Sequence, residues 1–188
     1  MGLLSEVARA ALRVATCLIG AWVWCAWPAA AQDGIAEREY RLKSSCLYKF
    51  AKFVEWPNDS YTDSSSPMVF CVVGDDAFGA SLEESVHAES LNGRRIVVRG
   101  GDHLSGYEDC HVLFVARSVR NRIGAVFKTL EGLDTLTVGD MDRFAHEGGM
   151  INMVRRRNKL RFEINRLAVS RTRLIVSSKL LNLAEIVE

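Results

Sequence analysis

Asp109-Cys110-His111 sets a carboxylate, a thiol and an imidazole on three consecutive residues, the ingredients of a metal site or an activated thiol. Neighbouring residues on a strand point to opposite faces, so this thiol and imidazole do not converge on one atom. The other histidines, His87, His103 and His146, form no ligand pair at i, i+4 and find no Cys-x-x-Cys partner set. Gly74-Asp75-Asp76 places an acidic pair after an apolar run, where α/β folds often bind ligands and where phosphoacceptor receiver domains carry theirs. That chemistry needs another Asp at the end of the third strand, and Ala116-Arg117 stands there instead. The pair therefore reads as a turn that also caps the next helix. Gly74 to Gly79 lacks the glycine spacing of a dinucleotide loop or a P-loop, and no Gly-x-Ser-x-Gly elbow occurs. The expectation is a protein that is not an enzyme, uses no metal or cofactor, and works by binding or regulation.

The elements that would position such residues follow from periodicity. From Ala36 to Glu55, Leu42, Cys46, Leu47, Phe50, Phe53 and Val54 recur at helical spacing, with Lys43, Lys49 and Lys52 largely on the other side. Pro57 disfavours helical geometry at Trp56 and should end that helix. Asn58 to Pro67 is rich in Asp and Ser and reads as a surface loop. Met68 to Val73 is a continuous apolar run, as expected of a strand covered on both faces. Arg95–Arg99, His111–Ala116 and Thr135–Val138 read as further strands, and Phe78–His87 and Arg120–Leu130 as the helices between them. This alternation predicts an α/β domain with a largely parallel sheet. After Gly148-Gly149, Met150–Val154 and Leu160–Ile164 flank RRRNK and predict a hairpin, which makes the sheet mixed. Asn165 is placed to cap a short helical piece, Leu174–Val176 to form a last strand, and Ser177 or Ser178 to cap a terminal helix over Lys179–Val187. Arg155-Arg156-Arg157 with Lys159 and Lys179 reads either as a solvated turn or as a dock for an acidic partner or a phosphate. Glu163 and Arg161 share the strand face opposite Phe162, as a docking element if that face is exposed and as an internal ion pair if it is covered.

Arg9 and Arg13 precede the apolar run Val14 to Trp27, and Ala29-Ala30-Ala31 follow, the pattern of a secretory signal peptide over residues 1–31. The apolar part is shorter than a membrane span requires. The remaining residues 32–188 suffice for one domain with its own core. They carry 22 basic and 22 acidic side chains, a balance that gives no global pull toward nucleic acid or anionic membrane. Of the five cysteines, Cys46, Cys71 and Cys110 remain after export. Cys46 lies on the apolar side of the first helix. Cys71 and Cys110 sit in or beside strands and are the better pair in an oxidising compartment, three buried thiols being the alternative.

In order along the chain, YKFAKFVEWP, VVGDDAFG, GRRIVVR, CHVLFVARS, LTVGD, FAHEGGMINM, NKLRFEIN and SSKLLNLAEIV resemble the YfiR family, over nearly all of Tyr40 to Val187. The resemblance implies an α/β/α three-layer sandwich that can dimerise, located in the periplasm, with a Cys71–Cys110 disulfide. It implies a regulator that represses a membrane-bound diguanylate cyclase by binding its periplasmic domain, lowering cyclic di-GMP, with an OmpA-type outer-membrane lipoprotein relieving repression. Family members carry a second cysteine pair around FAHEGGMIN; no cysteine follows Cys110 here. Glu163, Asn165 and Arg171 are expected on a partner-facing patch from this likeness. Trp56, an aromatic at a helix end, is expected either in the core or as a partner anchor. The rival reading is a periplasmic small-molecule sensor acting on another signalling partner.

Overall fold

The computed structural model describes residues 29–101, 106–157 and 159–188. Residues 1–28, which hold most of the expected signal segment, lie outside the described residues. The chain divides after Glu39. Of the first unit only the opening turns of helix α1 (Ala29–Lys52) are described. The second unit, Tyr40–Glu188, carries everything that follows.

Its sheet grows outward from β2 (Met68–Val73), whose six residues are all buried, as the unbroken apolar run requires. β4 (Arg94–Gly101) and β5 (Val112–Val115) flank β2 in parallel. β6 (Leu136–Gly139) continues beyond β5, also in parallel. β3 (Ser90–Leu91) adds antiparallel to the outer side of β4. On the other side β7 (Ile151–Arg156) pairs in parallel with β6 and antiparallel with β8 (Lys159–Asn165), forming the expected hairpin. The sheet is thus mixed and mostly parallel. A separate two-stranded ribbon joins β1 (Val54–Glu55) to β9 (Ile175–Val176).

Helices cover both faces. The part of α1 from Tyr40 on and α2 (Asp76–Val86) bury Leu47, Phe50, Phe78 and Leu82 against Phe70, Phe114 and Val138. The 3-10 segment Arg117–Arg122, α3 (Ile123–Thr129) and the turns around Met141 and Phe144 bury Val119, Val126 and Phe144 against Val73, Leu113 and Val115. The two cores lie on opposite sides of the same strands because side chains alternate across them. Phe144 fixes the position of LTVGD and FAHEGG: its ring lies where a Cβ on Gly139 or on Gly149 would have to go. Both glycines are therefore demanded by close approach.

Two boundaries differ from the periodicity. α1 stops at Lys52, and Val54–Glu55 leave the helix to pair with β9, so the apolar pattern to Glu55 outlasts the helix. The expected terminal helix over Lys179–Val187 is reduced to α5 (Ser178–Leu181), capped by the Ser177 side chain, and the chain then forms strand β10 (Glu185–Val187) parallel to β8. The open outer edge of β8 offers backbone partners that a further helical turn would not satisfy, and Ile186-Val187 suit a strand. The short helix α4 (Arg166–Ser170) is capped by Asn165 as the sequence indicates, its side chain accepting from Ala168 N–H at 2.8 Å.

Candidate docking and regulatory site

Trp56 stands where α1 has ended and the polar loop begins. It is 9% exposed, and its indole N–H donates to the His111 carbonyl at 3.2 Å. That carbonyl also accepts from Leu136 N–H at 2.8 Å, so the indole is tied to the start of the sheet. The His111 ring meets Trp56 edge-on at 6.3 Å and stacks on Tyr61 at 4.7 Å. The Arg94 guanidinium lies 3.8 Å over the far side of Tyr61 and donates to the carbonyls of Asp63, Ser64 and Ser66. This column of Arg94, Tyr61, His111 and Trp56 staples the loop after Pro57 to the core, and it answers the Trp56 alternative on the side of the core within this chain.

His111 carries no metal or thiol chemistry in this arrangement. Its Nδ1 accepts from Val69 N–H at 3.2 Å, which leaves Nε2–H to donate to the Ser60 carbonyl at 3.1 Å. The neutral ring with its proton on Nε2 satisfies both contacts. Burial pushes the His111 pKa below its ordinary 6.5, and nearby Arg94 acts in the same direction, against the Ser60 hydrogen bond and Asp109. With the folded value below the unfolded one, the stabilisation is complete above about pH 6.5 and is lost as pH falls through the folded value. Urea unfolding at pH 7.5 and pH 5 should therefore show a loss of stability on acidification that is smaller in His111→Gln. An equal loss in both proteins would contradict this assignment.

Cys71 and Cys110 form a disulfide with Cα atoms 6.0 Å apart. Both are almost fully buried, at 1% and 3% exposure, which shields the bridge from soluble reductants. Cys46 is a free, half-buried thiol whose pKa is raised by burial. No cluster of three metal-ligating side chains occurs among the described residues.

The carboxyl ends of the central strands, the usual ligand site of open α/β sheets, are occupied by the chain itself. Tyr40 donates to Asp75 Oδ2 at 2.9 Å, while Asp75 Oδ1 caps α2 by accepting from Phe78 N–H. Lys43 Nζ pairs with Asp140 at 2.6 Å, both side chains nearly buried. Asp75 is thus both a cap and a helix clamp, in keeping with the turn reading.

The residues expected on a partner-facing patch separate. Glu163 is 5% exposed and accepts from Asn152 Nδ2 at 3.1 Å and from Arg156 at 3.0 Å. It forms the internal ion pair with Arg156 rather than Arg161, although the hairpin register puts both arginines on its face. Asn165, also 5% exposed, caps α4 and donates to the Ala145 carbonyl at 2.6 Å. Arg171 alone is exposed, at the end of α4, beside a cleft of about 440 Å³ floored by Phe127, Leu130 and Met150. A second cleft of about 510 Å³ opens over His111 at the amino ends of the strands. There Arg173 grips Asp134 at 2.5 Å and Asp59 at 2.7 Å, a clamp that the sequence reading did not single out.

The crystal structure of a conserved domain protein from Vibrio cholerae O1 biovar El Tor str. N16961 has a similar fold, with TM-score 0.51 at 11% identity. The superposition covers 64% of this chain and 54% of that one, so the chain spans about half the length of the Vibrio protein it matches. No curated protein matches the sequence. The family model described as YfiR/HmsC-like (DUF4154) matches residues 40–185, from the start of the unit that carries the sheet into its last strand, and by that match the chain belongs to the YfiR/HmsC-like family.

Proposed function

We propose that this protein is a periplasmic regulator that binds the periplasmic domain of a membrane-bound diguanylate cyclase and holds the enzyme inactive. The observation that carries this reading is the family match across residues 40–185, which takes in both cores and the hairpin. Members of this family are regulatory proteins without catalysis of their own. Repression of this kind requires only that the domain bind one state of the cyclase more tightly than the other. An OmpA-type outer-membrane lipoprotein relieves repression by competing for the regulator, and two copies of the domain can associate in the repressing complex. Arg171 is the contact that reaches solvent in the docking surface, while Glu163 and Asn165 shape it from beneath by fixing the hairpin and the start of α4. Isothermal titration of the exported protein with the purified periplasmic domain of the cyclase encoded in the same genome tests this directly. Saturable binding weakened by Arg171→Glu supports the reading; absence of binding by folded protein removes it.

A second reading is favoured by the cleft over His111: a small molecule seated there would press on the loop that carries Tyr61 and Asp59. Such a ligand would tune partner affinity through the His111 column, and by linkage the partner would tune ligand affinity equally. Ligand-induced thermal stabilisation that disappears in Arg173→Ala would favour this sensor.

A further inference from the structure

The β7–β8 hairpin outruns the sheet that supports it. β6 pairs with β7 only at Ile151 and Asn152, and β10 pairs with β8 only from Glu163 to Asn165. Val154–Arg156 and Lys159–Arg161 therefore have no strand paired to their outer sides, while Leu160 packs against the core. Arg155, Arg156, Arg157, Lys159 and Arg161 are concentrated on this arm. The register puts Arg156, Lys159 and Arg161 on one face and Arg155 on the other, while Arg157 takes the left-handed turn conformation at the tip with φ 48°.

The nearby acids do not cancel the charge of Arg157, Lys159 and Arg161. Glu163 and Glu185 are both bound by the single guanidinium of Arg156, at 3.0 and 3.5 Å. Arg157, Lys159 and Arg161 have no anionic partner among the described residues. Beside them the edge formed by β10 shows apolar side chains to solvent: Leu183 is 70% exposed and Ile186 42%. Leu183 and Phe162 line the same open cleft of about 890 Å³ as the five cations.

We propose that this arm and the adjoining edge adsorb to an anionic lipid surface, with the cations at the phosphate level and Leu183 entering the acyl boundary. The arrangement fits a lipid surface better than an acidic protein because exposed aliphatic side chains, Leu183 and Ile186, lie beside the cations. Exposed aliphatic side chains next to unpaired cations are the combination that holds a protein in the interfacial layer. Each cation near an anionic membrane strengthens partition by about fivefold, so three unpaired cations should be worth about a hundredfold at low salt.

The test is co-sedimentation of protein purified from cells expressing the full chain with vesicles of phosphatidylcholine, alone or mixed with phosphatidylglycerol. Adsorption is expected only with phosphatidylglycerol, and it should fade as salt is raised. The triple variant Arg157→Gln, Lys159→Gln, Arg161→Gln should lose about a hundredfold in partition. Leu183→Ser should weaken adsorption without changing its salt dependence. Unchanged thermal unfolding would establish that both variants are folded. No phosphatidylglycerol-dependent adsorption by the wild type overturns the proposal, as does equal adsorption by the triple variant. Loss of binding to an acidic protein domain without any vesicle adsorption would assign the arm to a protein instead. The vesicles contain no cyclase, so failure here leaves the repressor reading untouched.

Discussion

Replacing both Cys71 and Cys110 by alanine should lower unfolding stability by about 4 kcal/mol, the loop-closure value for a bridge spanning a separation of 39 residues. The loop so closed contains α2, β3 and β4, and the bridge joins β2 to the turn that leads into β5. Packing adds to the loss, because the two sulfurs sit in the core with Val73, Leu113 and Tyr107. The double replacement avoids leaving either bridge cysteine as an unpaired thiol. Urea unfolding of the variant beside the wild type measures the difference. A change below about 1 kcal/mol would mean that the bridge contributes far less than its loop length allows.

Trp56→Ala should cost about 3–5 kcal/mol, the range for truncating a large aromatic in a core. Trp56→Phe keeps much of the buried area but loses the hydrogen bond to the His111 carbonyl, a cost of about 1 kcal/mol. The expected size separates two roles. A residue that served chiefly as a partner anchor would leave stability nearly unchanged when truncated, while binding fell sharply. Trp56 is the single tryptophan in residues 32–188, so in a chain beginning at Gln32 tryptophan fluorescence reports on this position alone. Emission shielded from acrylamide in the free protein is the outcome expected from 9% exposure. Ready quenching would contradict the core assignment.

Local pattern carried the centre of this fold and failed at its margins. Met68–Val73 and His111–Ala116 are legible because strands covered on both faces are apolar throughout, a signal that needs no knowledge of neighbours. Asn165 and Asp75 were legible as caps because capping is settled within three residues. β10 was not, since LLNLAEIV has helical spacing and only the distant edge of β8 makes a strand of Glu185–Val187. The same limit hid the column at His111. Its members come from the loop, β4 and the start of β5, and nothing in the local pattern at Tyr61 points to Arg94. Glu163 shows how little error is needed to misplace a partner. The sequence leaves it open between a docking element and an ion pair with Arg161, and only the cross-strand register brings Arg156 onto its face.

The repressor reading locates function in surfaces and leaves the chemistry to the partner enzyme. Burial of Glu163 and Asn165 makes them structural supports of whatever contact lies above them. Substitutions there report on folding as well as docking, and Arg171 is the cleaner probe.

The most direct test of the central claim is cellular cyclic di-GMP in a strain deleted for this gene, beside the complemented strain and a double deletion that also lacks the cyclase. Repression through the cyclase gives a rise in the single deletion, restored by complementation and absent from the double deletion. No rise under conditions where the protein is shown to be expressed would contradict it, as would a rise that persists without the cyclase.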